Sequence, residues 1–171
     1  MTDLRLETDR LVLRPPAAKD ARAAIDFYMS ERSQYAGGNV ERFNAWRAFT
    51  AMLGHWQVRG YGLWAVTRKG DDTAMGMVGP FYPEGWPETE VGWVLFDGAE
   101  GHGYAYEAAQ KALQDVRDRL GWTNIVHYIA PENTRSIALA QKLGAQLDET
   151  ATKPKPGTPT LVYRQPKSGV H

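Results

Sequence analysis

Apolar and polar residues change period along this chain, and each change marks an element. Residues 11–14 alternate and stop at Pro15 and Pro16, which predicts a first strand. Asp20 is placed to cap a short helix with Ala21, Ala24, Ile25 and Tyr28 on one face. Residues 30–38 read as a loop. Asn39 is placed to cap a second helix with the stripe Val40, Phe43, Trp46, Phe49, Leu53 and Trp56, ending near Gly60 and Gly62. Residues 63–67 and 74–78 flank Lys69, Gly70, Asp71 and Asp72, a hairpin signal. Residues 80–88 form a loop rich in Pro, Gly and aromatics, and 90–95 form the next strand. A glycine turn then opens a helix with Ala105, Ala108, Ala109, Ala112, Leu113, Val116 and Leu120 on one face, ended by Gly121. Residues 124–129 read as a strand. Asn133 caps a helix to Leu143 with Gly144 just beyond, and the tail gives strands at 145–147 and 160–163 around a Pro/Gly loop at 153–159. This order predicts a mixed α/β sheet with helices on its faces. No repeat or linker interrupts it, so residues 1–171 are expected to form a single domain.

Composition narrows the chemistry. Twenty Lys and Arg balance twenty Asp and Glu, so charge gives no support for a nucleic-acid or anionic-membrane partner. The sequence has no cysteine, which excludes disulfides, thiolate metal sites and cysteine nucleophiles. No apolar run approaches ~20 residues, and residues 1–5 lack the apolar region of a signal peptide, so a cytoplasmic protein is expected. His55, His102, His127 and His171 have no metal-ligand spacing, so no metal is expected.

The stretch Glu100, Gly101, His102, Gly103, Tyr104, Ala105 sits between a strand and a strongly amphipathic helix. Such a turn exposes several backbone N–H groups at the positive end of a helix dipole, which suits an anion. A dinucleotide fingerprint would need glycine where Tyr106 stands, and the P-loop pattern is absent. What remains is a phosphate cradle of amides at 101–105, with Gly101 and Gly103 allowing close approach. A tight turn without a ligand is the alternative reading.

Three segments together resemble the GNAT N-acetyltransferase superfamily, particularly its RimJ/RimL-like branch. Residues 8–15 look like the opening strand of that branch. Residues 90–95 followed by 100–108 look like its acetyl-CoA-binding motif, and residues 133–144 like its second cofactor-side motif. The resemblance spans nearly the whole chain. It implies a GNAT-like fold, a central, mostly antiparallel twisted sheet with helices on both faces. Acetyl-CoA is the implied co-substrate, held by the backbone of Trp93, Val94 and Leu95, by the loop Glu100 to Ala105, and by Asn133 and Ser136. Glu100 stands where the family usually has Gln or Arg. A carboxylate beside a pyrophosphate is unfavourable unless it points to solvent, so the backbone amides carry the binding in this reading.

Acetyl transfer needs a neutral amine, a donor for the carbonyl oxygen as it gains charge, and an exit for a thiolate of pKa near ~8.5. Glu90 is the candidate base, since it lies on the strand that leads to the thioester and alternation sets it opposite Val91 and Trp93. A solvated strand-end glutamate is the bland alternative, and Glu84 and Glu88 are rivals. The oxyanion donor is expected near Val94. Many superfamily members use a Tyr where this chain has Ala140, so Ser136 is the implied substitute near the thiol. Tyr35 and Trp86 are candidate walls for an acceptor, either a small-molecule amine or a protein N-terminus. A homodimer is reasonable by the same resemblance. With Glu100 unusual and the Tyr absent, a CoA-binding regulatory module without catalysis is the alternative function.

Overall fold

The computed structural model describes residues 4–167; His171 and the N-terminal residues 1–3 lie outside them. Eight strands form a sheet: β1 (Leu6–Glu7), β2 (Leu11–Arg14), β3 (Trp64–Arg68), β4 (Asp71–Phe81), β5 (Glu90–Leu95), β6 (Val126–Ile129), β7 (Gln146–Leu147) and β8 (Leu161–Arg164). They lie in the order β1-β2-β3-β4-β5-β6-β8-β7, and neighbours are antiparallel except β5 and β6. Helices α1 (Ala21–Met29), α2 (Arg42–Arg59), α3 (Tyr104–Asp118) and α4 (Thr134–Lys142) cover the faces. The expected mixed α/β sheet is the one observed.

Side-chain alternation builds a core on each face. Trp64 and Val66 of β3 join Leu11, Leu13, Val78 and Val91 under the Ala108, Ala109 and Ala112 stripe of α3. Ala65 turns the other way, to Ala24 and Phe27 of α1 and to Ala45 and Phe49 of α2. Covered on both faces, residues 64–67 of β3 are fully buried, which is why its sequence lacks a polar alternate. Along β5 the same rule sends Val91 and Trp93 to the α3 side and Val94 to the α1–α2 side. Among the described residues no helix is long and apolar enough to cross a membrane.

Three local expectations are corrected. The second helix starts at Arg42, with Glu41 at its N-cap, because Asn39 takes a left-handed backbone (φ 59°) and cannot open it. Its buried face is Ala45, Phe49 and His55, with Met52 and Trp56 packed beside them. Phe43 and Trp46 are 67% and 50% exposed and stack on each other instead. Small Ala45 lets α2 approach α1 closely, and Phe43 and Trp46 fall outside the stripe it defines. The loop at 30–38 contains a 3₁₀ helix, Glu31–Ala36, ended by Gly37 at φ 75°. Buried Ser33 anchors it, donating its hydroxyl to the Ser30 carbonyl (2.7 Å) and accepting from the Asn39 amide (2.8 Å). Finally, β4 runs on to Phe81, so the aromatic loop begins two residues later than expected.

Strands β4 and β5 approach closely at Gly76. A Cβ there would lie 2.3 Å from the Val94 carbonyl oxygen and 3.0 Å from the Leu95 Cα, both backbone atoms that cannot swing aside. Gly76→Ala is expected to cost about 1–3 kcal/mol and to lower the thermal midpoint by several degrees. An unchanged midpoint in calorimetry would show that the two strands can separate without cost.

Candidate active site

The parallel pair β5–β6 has one registered position, Glu90 opposite Val126. Beyond it the strands part. The Phe96 amide donates to the Met75 carbonyl (2.7 Å), and the Val126 amide donates to the Thr89 carbonyl (3.0 Å). With β4 and β5 in unbroken register from Gly76–Leu95 to Phe81–Glu90, the even-numbered amides of β5 therefore face β4. The Val91 amide pairs with β6 at the single registered position, and those of Trp93 and Leu95 face the split. This narrows the expectation of a backbone donor near Val94: the Val94 amide itself points to β4, and the amides on either side of it point into the gap. Register sets this direction, and register is not visible in a single strand's sequence.

A cleft of about 440 Å³ runs through the split. It is lined by Tyr35, Trp86, Glu90, Trp93, Val94, Asn133 and Ser136, among others, from both faces of the sheet. Glu90 is 9% exposed. The Trp86 indole N–H donates to its Oε2 at 2.8 Å, and the Tyr128 amide to its Oε1 at 3.4 Å. Burial pushes its pKa up to about 7, against the opposing pull of those donors and of Lys155. The rivals have other partners. Glu88 accepts from Arg164 and Asn124, and these hydrogen bonds hold its pKa low despite partial burial. Glu84 has a fully exposed side chain near Arg59.

On the opposite face, the Trp93 indole N–H donates to Ser136 Oγ at 3.1 Å, so the serine's own proton remains to donate elsewhere. Asn133 caps α4 by accepting the Ser136 amide at 3.3 Å. The His127 ring stacks obliquely on Trp93, with centroids 4.8 Å apart. Its Nδ1 donates to the Val91 carbonyl (2.6 Å), and its Nε2 accepts from Gln165 (3.0 Å). Burial pushes the His127 pKa down to about 4, so the ring is neutral at physiological pH. His55 is a core histidine of the same kind, bridging the Tyr61 carbonyl and the Tyr82 amide. Ala140 is fully buried and presents no polar group.

The glycine loop lies past the end of β5, outside the cleft. Gly101 and Gly103 have φ of 84° and 78°, a backbone that side chains disfavour, and a Cβ on Gly101 would meet nothing within 4 Å. Among the described residues the amides of 101–106 donate to no protein acceptor, while the Glu107 amide already bonds the Gly103 carbonyl. Glu100 is held by two arginines. Arg32 donates to its Oε1 at 2.5 Å and to the Leu95 carbonyl at 3.2 Å, and Arg135 donates to its Oε2. Partial burial raises the Glu100 pKa, but hydrogen bonds from the two arginines outweigh it, and the net shift is downward. Arg10, paired with Glu107, lies over the Tyr104 ring at 4.8 Å, and the His102 ring stacks on the Tyr104 ring with centroids 5.2 Å apart. Sequence reasoning missed Arg10, Arg32 and Arg135. The signal for two of them was Glu100 itself, since a carboxylate at an anion site needs cations beside it. Among the described residues no group of three or more His, Cys, Asp or Glu could hold a metal ion.

A family model described as the acetyltransferase (GNAT) domain matches residues 10–146. The chain is similar to an acetyltransferase from Agrobacterium tumefaciens, at 35% identity over 96% of this chain and 95% of that one, with a TM-score of 0.88. A GNAT-family acetyltransferase from Bacillus anthracis shares its fold at 22% identity, covering 94% and 96% of the two chains, with a TM-score of 0.73. So does the ribosomal L7/L12 α-N-protein acetyltransferase RimL in complex with coenzyme A, at 14% identity over 96% and 98%, with a TM-score of 0.71.

Burial of Glu90 has a thermodynamic signature. Its folded pKa, about 7, lies above the ordinary 4.5, so between these values the folded protein keeps a proton that the unfolded chain has lost. That contribution is complete below pH 4.5 and is lost as pH rises through 7. His127 acts in the opposite sense between its ordinary 6.5 and about 4. The difference between wild type and Glu90→Gln isolates the first effect. Relative to wild type, the variant is expected to gain on the order of a few kcal/mol in unfolding free energy from pH 4.5 to 7. Denaturant unfolding at stepped pH measures it, and a flat difference would mean that Glu90 ionises freely in the folded state.

Proposed function

The chain belongs to the GNAT acetyltransferase family, and we propose that it moves an acetyl group from acetyl-CoA directly to a primary amine in a ternary complex, with Glu90 as the base. The observation that carries this reading is a buried carboxylate with a pKa near 7 on the wall of a cleft that crosses the sheet. A base of that pKa is matched to neutral pH. Acetyl-CoA would supply the acetyl group as a thioester. The unpartnered amides of 101–105, backed by Arg10, Arg32 and Arg135, suit its phosphates. Trp93 and Leu95 would hold its pantetheine arm along the split, with Asn133 and Ser136 across the gap. Unpaired backbone N–H groups at a strand edge are ready to pair with such an arm.

The two faces divide the work. Glu90 would take the amine's proton, directly or through water, from the side of Tyr35 and Trp86. An amide of Trp93 or Leu95 would donate to the carbonyl oxygen as it gains charge. As the N–C bond forms and the C–S bond breaks, the sulfur leaves with the bonding pair. Ser136, held by Trp93, would orient that group; a serine hydroxyl is too weak an acid to do more at neutral pH. The sequence has no cysteine, so no cysteine-linked acetyl-enzyme can form, which supports direct transfer. The amine is a small molecule or a protein N-terminus.

Thiol release from acetyl-CoA with a panel of primary amines tests the reading. Wild-type kcat/KM is expected to rise with pH through about 7. Glu90→Gln should lose that rise and fall by about 10²–10⁴-fold; an unaltered rate and profile would remove Glu90 as the base. Gly103→Val should raise the KM for acetyl-CoA by about tenfold or more, by placing a side chain in the cradle, with acceptor KM unchanged. Equal effects on both substrates would point to general damage and against the loop.

A further inference from the structure

Two charged side chains line the cleft, Glu90 and Lys155; its other lining residues are apolar, aromatic or neutral polar, with His127 held neutral. Both charges meet one indole. Trp86 donates its N–H to Glu90 at 2.8 Å, and Lys155 Nζ stands 5.8 Å from the centroid of the same ring. The indole is itself fixed by edge-on contacts with Phe81 (5.8 Å) and Tyr128 (6.3 Å). Lys155 comes from the loop before β8, and among the described residues no carboxylate pairs with it. Other basic residues are engaged: Arg59 with Glu84, Arg32 and Arg135 with Glu100, Arg164 with Glu88.

We propose that the acceptor is a small zwitterion of the amino-acid type, its amine presented to Glu90 and its carboxylate to Lys155 across the Trp86 ring. The inference rests on the acetyl-transfer reading and chooses within it. A cation at the mouth of an aromatic cleft repels a purely cationic amine and attracts an anionic group. A carboxylate within reach of both the lysine and the indole face replaces the weak cation–π contact with a charge-assisted hydrogen bond. A free amino acid carries its carboxylate one carbon from its amine, which suits two charges that share one ring. A protein N-terminus has a neutral peptide group at that position and gains nothing from Lys155. Transfer removes the ammonium charge and leaves the carboxylate, so Lys155 holds acceptor and product alike, whereas Glu90 acts only on the amine.

Initial rates with acetyl-CoA test this, using free L-amino acids against their carboxamides and a short peptide with the same first residue. Rates are compared per neutral amine, because an amino-acid amide loses its ammonium proton more readily than the free acid. Wild type should favour the free acid by about tenfold in kcat/KM. With rates read above the Glu90 midpoint, Lys155→Met should raise KM for the acid by that factor, leave kcat near wild type and cause no rise in KM for the amide. Lys155→Arg should retain the preference. Equal or better use of amides and peptides by wild type would overturn the proposal, as would an equal effect of Lys155→Met on acid and amide. Turnover of amides alone would leave the acetyl-transfer reading standing without this one. No turnover on any amine would sink both.

Discussion

The parting of β5 and β6 after a single registered pair is the constraint on which the rest of this protein depends. A sheet whose strands pair along their length closes its own backbone groups. Here the pairing stops at Glu90 and Val126, and beyond it the Trp93 and Leu95 amides face open space. Side chains sustain the gap. His127 fills its narrow end by bonding the Val91 carbonyl, and the Trp93 indole bridges to Ser136 on α4. The split turns an otherwise sealed sheet into a passage reached from both faces. It also lets groups on opposite faces, Glu90 and Ser136, share one cleft.

Position in that cleft makes Glu90 different from its neighbours. Glu84, Glu88 and Glu90 lie within seven residues of one another, yet burial and hydrogen-bond partners separate their chemistry. An exposed carboxylate, or one matched with arginine, stays ionised and is a weak base. Glu90 has an indole N–H and a distant amide in place of a cation, so desolvation dominates its titration. Glu100 shows the opposite solution. It carries the same charge at a proposed anion site, and Arg32 and Arg135 convert that liability into a strap joining the 3₁₀ helix, the glycine loop and the start of α4.

Most of the framework was legible because local signals agreed. Alternation at 90–95, glycines at 101 and 103 and an alanine stripe on α3 each indicate the same strand–turn–helix unit. Asn133 and Gly144 mark both ends of α4. The failures have tertiary causes. Aromatic residues occur on several sides of α2, and only its contact with α1 selects Ala45 and Phe49 over Phe43 and Trp46. The 3₁₀ helix is anchored by the Ser33 hydroxyl, a contact without a periodic pattern. The direction of the β5 amides depends on register with β4. The arginines around the loop come from positions 10, 32 and 135 and converge only when the chain folds.

The central claim is that a buried, unpaired carboxylate at Glu90 is poised to accept a proton near neutral pH. Carbon-13 NMR titration of the glutamate side-chain carboxyls, with the Glu90 signal assigned by its loss in Glu90→Gln, measures this without any substrate. A midpoint close to 7 is expected for that signal. A midpoint at the ordinary value near 4.5 would contradict it.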